Sequence, residues 1–107
     1  MPIKEITVRE LKSLFDNNAD IQLIDVREAH ELAIATIGGE HIPLGNIMQH
    51  TGEISPDKQV VIYCRSGIRS GNAVAALEQH LGYDNLYNLK GGILQYADEI
   101  DPSLQKY

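Results

Sequence analysis

Cys64 is the only cysteine among the 107 residues, and its neighbours suit it to nucleophilic chemistry. It opens the run Cys64-Arg65-Ser66-Gly67-Ile68-Arg69, with Ser70 next. Gly67 lets the backbone curl tightly, so that successive amides can face one point and form an anion nest. A helix starting just beyond would aim about half a positive charge at the same point. Arg65 and Arg69 add two permanent cations. A thiol in that setting ionises more readily, and the thiolate is the nucleophile. A second sulfur on Cys64, as Cys–S–S⁻, would be held by the same donors. The plainer role of a lone cysteine, a small buried hydrophobe, needs no arginine on either side of it.

The flanking patterns supply what must position this loop. Gln59 to Tyr63 is a β-branched and aromatic run, the signature of a strand buried on both faces of a parallel sheet. From Ser70 to Leu81 the pattern turns helical, with Ala73, Val74, Leu77 and Leu81 on one stripe and Gly82 as the stop. Cys64 therefore sits between a strand end and a helix start, where open α/β sheets bind ligands. Upstream, Thr7-Val8-Arg9-Glu10 matches a capping box, and Val8, Leu11, Leu14 and Phe15 continue a helix to the Asp16-Asn17-Asn18 turn. Ile21 to Val26 reads as a strand whose end brings Asp25 and Arg27 to the rim that holds Cys64. A short helix over Glu28 to Ala35 follows, stopped by Gly38-Gly39. His41-Ile42-Pro43 suits a brief strand, because proline tolerates only an edge or a strand end. Leu44 to His50 is compatible with a short helix. Asn85 to Leu89 is a last strand, Gly91-Gly92 a turn, and Ile93 to Ile100 a closing helix. Alternating strands and helices predict an α/β fold, a parallel sheet with helices on both faces, as one domain over residues 1–107.

Bulk properties narrow the function classes. A chain this long supports one domain and buries roughly two-thirds of its unfolded surface, so no metal or disulfide is needed for folding. The net charge of -6 offers no cationic surface for nucleic acid or anionic lipid. The apolar runs are strand-sized, far short of a membrane span. Met1-Pro2-Ile3-Lys4 does not read as an export segment, which together with a lone reduced thiol predicts a cytoplasmic protein. His30, His41, His50 and His80 have no ligand-like spacing among themselves or with Cys64, so neither metal nor cofactor is expected. Asp98, Glu99 and Asp101 read as a solvated helix end, and Gly91-Gly92 lacks the Lys-Ser/Thr context of a nucleotide-binding loop.

Together these residues resemble the rhodanese domain. The resemblance runs through Asp25-Val26-Arg27-Glu28, His41-Ile42-Pro43, Val61 to Ser70 and Leu89-Lys90-Gly91-Gly92, of which the Cys-Arg-Ser-Gly-x-Arg-Ser loop is the specific part. Ile37 to Leu44 and the segment from Gly92 to Leu104 are most similar to rhodanese domains fused to adenylyltransferases in molybdopterin and thiolated-tRNA sulfur supply. The resemblance implies that Cys64 accepts sulfane sulfur as a persulfide from a donor such as thiosulfate. The acceptor would be cyanide, a thiol or a protein. Arg65, Ser66, Gly67, Ile68, Arg69 and Ser70 would form the substrate-binding cradle. Asp25 and Arg27 would support it, mainly by salt bridging between loops. Ser66 and Ser70 would satisfy amides at the helix start, and Ser66 could also donate to the persulfide. Phosphatases sharing this fold use Cys-x5-Arg, whereas four residues separate Cys64 from Arg69 here, a loop sized for one sulfur atom. The expected role is a thiosulfate-type sulfurtransferase acting as a monomer or weak dimer, open to its acceptor without a lid. A persulfide carrier that docks on a partner protein is the alternative. A non-catalytic regulatory domain is disfavoured by the intact loop.

Overall fold

The computed structural model describes residues 2–107; Met1, part of the segment read for export signals, lies outside the described residues. Five parallel strands form one sheet in the order β1-β5-β4-β2-β3: β1 (Glu5–Ile6), β2 (Ile21–Asp25), β3 (Glu40–His41), β4 (Gln59–Tyr63) and β5 (Leu86–Leu89). The helices are α1 (Val8–Asp16), α2 (Ala29–Leu32), α3 (Ile68–Leu81) and α4 (Gly92–Glu99), and two 3-10 segments cover Leu44–Gln49 and Thr51–Glu53.

β4 is the middle strand, and the period-two alternation of its side chains builds both cores. Val60, Ile62 and Cys64 join Ala73, Val74 and Leu77 of α3, with Ile47 of the first 3-10 segment and Ile54 just beyond the second. Val61 and Tyr63 point the other way, towards Val8 and Leu11 of α1 and Ile93 and Tyr96 of α4. Helices thus cover both faces, as the sequence pattern predicts. Cys64 emerges from the most buried strand of the molecule, with no edge nearby to flex.

The capping box at Thr7 forms as expected, with the Glu10 amide donating to Oγ1 and the Thr7 amide to the Glu10 carboxylate. Four elements differ from expectation. Helix α3 starts at Ile68, not Ser70, so Arg69 and Ser70 belong to its first turn. Helix α2 ends at Leu32 instead of Ala35, and the carbonyl of Ala35 is taken by Arg27 Nη2 at 2.8 Å. The two-residue strand β1 carries no periodic signal and is made by its pairing with β5. The closing helix begins at Gly92, one residue early, with consequences for the Cys64 loop.

Candidate functional site

The loop after β4 turns on Gly67, whose φ of 100° lies in the left-handed region. Its carbonyl groups are held outward. Cys64 O accepts from Ile93 N at 3.0 Å and Arg65 O from Leu94 N at 3.1 Å, so the free amides at the start of α4 absorb both. Gly67 O accepts from Asn88 Nδ2 at 3.1 Å. With the carbonyls fastened away, the amides face the sulfur: Gly67 N lies 3.1 Å and Ser70 N 3.5 Å from Cys64 Sγ. Gly92 permits this close approach. A Cβ there would lie 2.4 Å from Arg65 O and 2.6 Å from Cys64 O. The turn that looked merely connective in the sequence is the outer buttress of the loop.

Ser70 is fully buried, and its hydroxyl lies 2.5 Å from Asn88 Oδ1 and 3.4 Å from Cys64 Sγ. One hydroxyl carries one proton. The short contact to Asn88 holds it while the sulfur is neutral, and the charged thiolate can draw it over, because bonds to ions are the stronger ones. Ser70 therefore serves the sulfur instead of capping the helix, whose N-cap is Gly67 with no side-chain bond. Burial pushes the Cys64 thiol up. The Ser70 hydroxyl and the amides of Ser70, Gly67 and Ser66 outweigh it and leave the thiol below its usual range. Cys64 is only 1% exposed, so the open access expected from the sequence is not what the fold provides.

The two arginines of the loop point to other partners. Arg69 makes a bidentate pair with Glu31, 2.7 and 2.8 Å, and Arg65 donates from Nε and Nη2 to the backbone oxygen of Tyr107. Among the described residues, no guanidinium donates a hydrogen bond to Sγ, whose donors are the Gly67 and Ser70 amides and the Ser70 hydroxyl. Arg69 is nonetheless close enough for Cys64 to favour its charged form through space, so it acts on the thiol as a nearby cation and not as a hydrogen-bond donor. Asp25 and Arg27 are buried beneath the rim, at 1% and 0% exposure, and pair through Arg27 Nε and Nη2 at 2.8 to 3.1 Å. Burial would lower the Arg27 pKa, but its bonds to Asp25 and Tyr107 outweigh that and raise it, so the guanidinium stays charged. Arg27 Nη1 also donates to the Tyr107 hydroxyl at 2.9 Å, which ties the loop after β2 to the end of the chain.

Glu31, Asn88, Gly92 and Tyr107 escaped the sequence reading. Glu31 is a buried carboxylate bonded to Arg69 and Tyr107, drawn down to about 2 chiefly by the Arg69 pair against the opposing effect of burial. The Glu31 amino-acid type three residues after Glu28 marks a capping box, which does form; nothing in the pattern marks it as a partner for a residue 38 positions away. No group of three or more His, Cys, Asp or Glu among the described residues is placed to hold a metal ion.

The model of the rhodanese-like domain matches residues 7–99. The chain belongs to the rhodanese-like family. Its relatives include the "Probable adenylyltransferase/sulfurtransferase MoeZ" of Mycobacterium tuberculosis, 35% identical over 105 residues that are 95% of this chain and 26% of MoeZ. A protein named sulfurtransferase from Allochromatium vinosum is 38% identical over 96 residues, 89% of either chain. The crystal structure of a rhodanese-like domain protein from Staphylococcus aureus superposes with a TM-score of 0.81 at 29% identity, covering 98% of this chain and 99% of that one. The chain spans only 26% to 38% of the longer relatives that it matches. The rhodanese-like assignment thus includes both the adenylyltransferase-linked relatives anticipated from the sequence and freestanding sulfurtransferases.

Proposed function

We propose that this rhodanese-like chain, residues 1–107 as one domain, is a sulfurtransferase that carries sulfane sulfur as a persulfide on Cys64. The observation that carries the reading is the ring of donors around Sγ, from Gly67 N, Ser70 N and Ser70 Oγ. In the first half-reaction the Cys64 thiolate attacks the outer sulfur of a donor. A Cys64–S bond forms as the donor's S–S bond breaks. With thiosulfate, sulfite leaves with the electron pair; with a persulfide, a thiol leaves. The product anion Cys64–S–S⁻ keeps its charge within reach of the cradle built from residues 64 to 70. In the second half-reaction an acceptor attacks the outer sulfur and Cys64 departs as the thiolate, ready for another cycle. Cyanide gives thiocyanate, and a thiol gives a persulfide. No second thiol exists in the chain, so an external nucleophile must discharge the sulfur.

In this reading Ser66, Gly67 and Ser70 cradle the sulfur, Ile68, Arg65 and Arg69 form the rim, and Asp25 and Arg27 brace the rim from beneath. The acidic chain works without nucleic acid and without a cofactor in a reducing compartment, the cytoplasm. Similarity to MoeZ favours a second reading of the same site, in which a partner protein supplies or removes the sulfur. The test is single-turnover discharge. Protein loaded from a persulfide or thiosulfate and freed of small molecules should release one equivalent of thiocyanate on addition of cyanide. Thiocyanate yield no greater from native protein than from Cys64→Ser protein would reject the reading.

A further inference from the structure

The two cations expected to hold an oxyanion donor are already occupied by the chain itself. Arg65 directs Nε and Nη2 to the backbone oxygen of Tyr107 and lays its guanidinium 5.1 Å from the centre of the Tyr107 ring. Arg69 directs both terminal nitrogens to Glu31. Tyr107 joins the two arrangements, because its hydroxyl donates to Glu31 Oε2 at 2.7 Å and accepts from Arg27 Nη1 at 2.9 Å. Ile68, the first residue of α3 and part of the same loop, leaves its apolar side chain 72% exposed.

We propose that Tyr107 and Glu31 are specificity-determining residues, which withhold Arg65 and Arg69 from an oxyanion and so select donors whose leaving group carries no sulfonate, namely persulfides R–S–SH. The inference rests on Cys64 being the sulfur carrier. The chemistry differs between the two donor classes at the leaving group. Thiosulfate brings a sulfonate that must be desolvated and matched by cations as sulfite departs, and both forks that could do so are satisfied elsewhere. A persulfide transfers its outer sulfur to the Cys64 thiolate, and the R–S⁻ that leaves takes up the persulfide's proton. It needs only the amide ring for the new charge on sulfur and room beside an apolar rim for R. Exposed Ile68 suits that second requirement, since burying it against an alkyl or protein surface is favourable.

The proposal is tested by relieving the occupation of Arg65. Tyr107→Ala removes the hydroxyl bonds to Arg27 and Glu31 and the ring beside Arg65, the contacts that hold the residue's backbone oxygen against that guanidinium, so the arginine regains freedom to meet an anion at the cradle. The measured quantity is the ratio of loading rate constants for thiosulfate and for an alkyl persulfide on the same protein. Restoring one positioned cation to such a site should raise that ratio by about tenfold or more. A second readout is independent of sulfur transfer: the ratio of Cys64 alkylation rates by iodoacetate, an anion, and by iodoacetamide, its neutral analogue, should rise in parallel. Should Tyr107→Ala fail to fold, Glu31→Gln frees Arg69 and carries the same test. Ratios that stay at the native value, or fall, overturn the proposal and make Tyr107 a support that positions Arg65. Loss of sulfur loading from every donor with a normal alkylation ratio would instead count against the persulfide function.

Discussion

Replacing Ser70 by Ala tests the idea that the cradle tunes the thiol, and its effect can be worked through from the contacts. The variant removes the hydroxyl 3.4 Å from Sγ and leaves the amides of Gly67 and Ser70 in place. A hydrogen bond to a charged group contributes about 1.5 kcal/mol at the low end, which raises the thiol pKa by about one unit at 1.36 kcal/mol per unit. At a pH below both pKa values, thiolate then falls about tenfold. The more basic thiolate is also the better nucleophile, with a sensitivity of roughly 0.5, so the net loss of rate is only about threefold. Above both pKa values the sign reverses, and the variant should react about threefold faster than native protein. The assay is the pH dependence of Cys64 alkylation by iodoacetamide, followed by mass spectrometry. The two profiles should cross. Profiles that coincide, or a variant slower by one factor at every pH, would refute the reasoning. Asn88 Oδ1 loses its donor in a buried place, so a stability loss of about 1–3 kcal/mol accompanies the shift.

Gly92→Ala should displace the Cys64 loop, because the added Cβ would lie 2.4 Å from Arg65 O in a residue with φ of 62°. Misplacing reacting groups by about 1 Å costs on the order of 100-fold, so stopped-flow loading at least tenfold slower is expected, and native-like loading would discredit the buttress. Arg27→Met strands the Asp25 carboxylate at 1% exposure, and urea unfolding should reveal a loss of about 3–5 kcal/mol; a loss under about 1 kcal/mol would mean that the pair does not hold the rim. Glu31, drawn down to about 2 from 4.5, is a depressed carboxylate, so its pair with Arg69 stabilises the fold above about pH 4.5 and is lost as pH falls through about 2. The stability gap between native and Glu31→Gln protein should accordingly be flat above about pH 5 and close on acidification; a gap that persists at about pH 2 contradicts the assignment.

The sheet, its order of elements and the place of Cys64 are legible in the sequence because local patterns govern them. Gln59 to Tyr63 is strand-like at each position, α3 keeps its stripe, and Thr7 and Glu10 write their capping box within four residues. The loop signals its own chemistry for the same reason, since Gly67 and the start of α3 adjoin Cys64 in the chain. What is hidden is whatever crosses the sheet. Asn88 braces Ser70 from 18 residues away and Glu31 pairs with Arg69 from 38, separations at which a sequence carries no geometric mark. Tyr107 reaches Arg27 across 80 residues. The arginines show how this misleads: their type and spacing do suit an anion, and only the fold reveals that Glu31 and Tyr107 reach them first. Beyond the early end of helix α2, the carbonyl of Ala35 is likewise satisfied from a distance in sequence, by Arg27 Nη2.

Intact mass spectrometry after exposure to an alkyl persulfide or thiosulfate tests the central claim most directly, since Cys64 is the one thiol in the chain. Native protein should gain a single sulfur, about 32 Da, in a form that cyanide removes, and Cys64→Ser protein should gain none. Equal gain in the two proteins, or no gain in native protein from either donor, would contradict the account of Cys64 as a sulfur carrier.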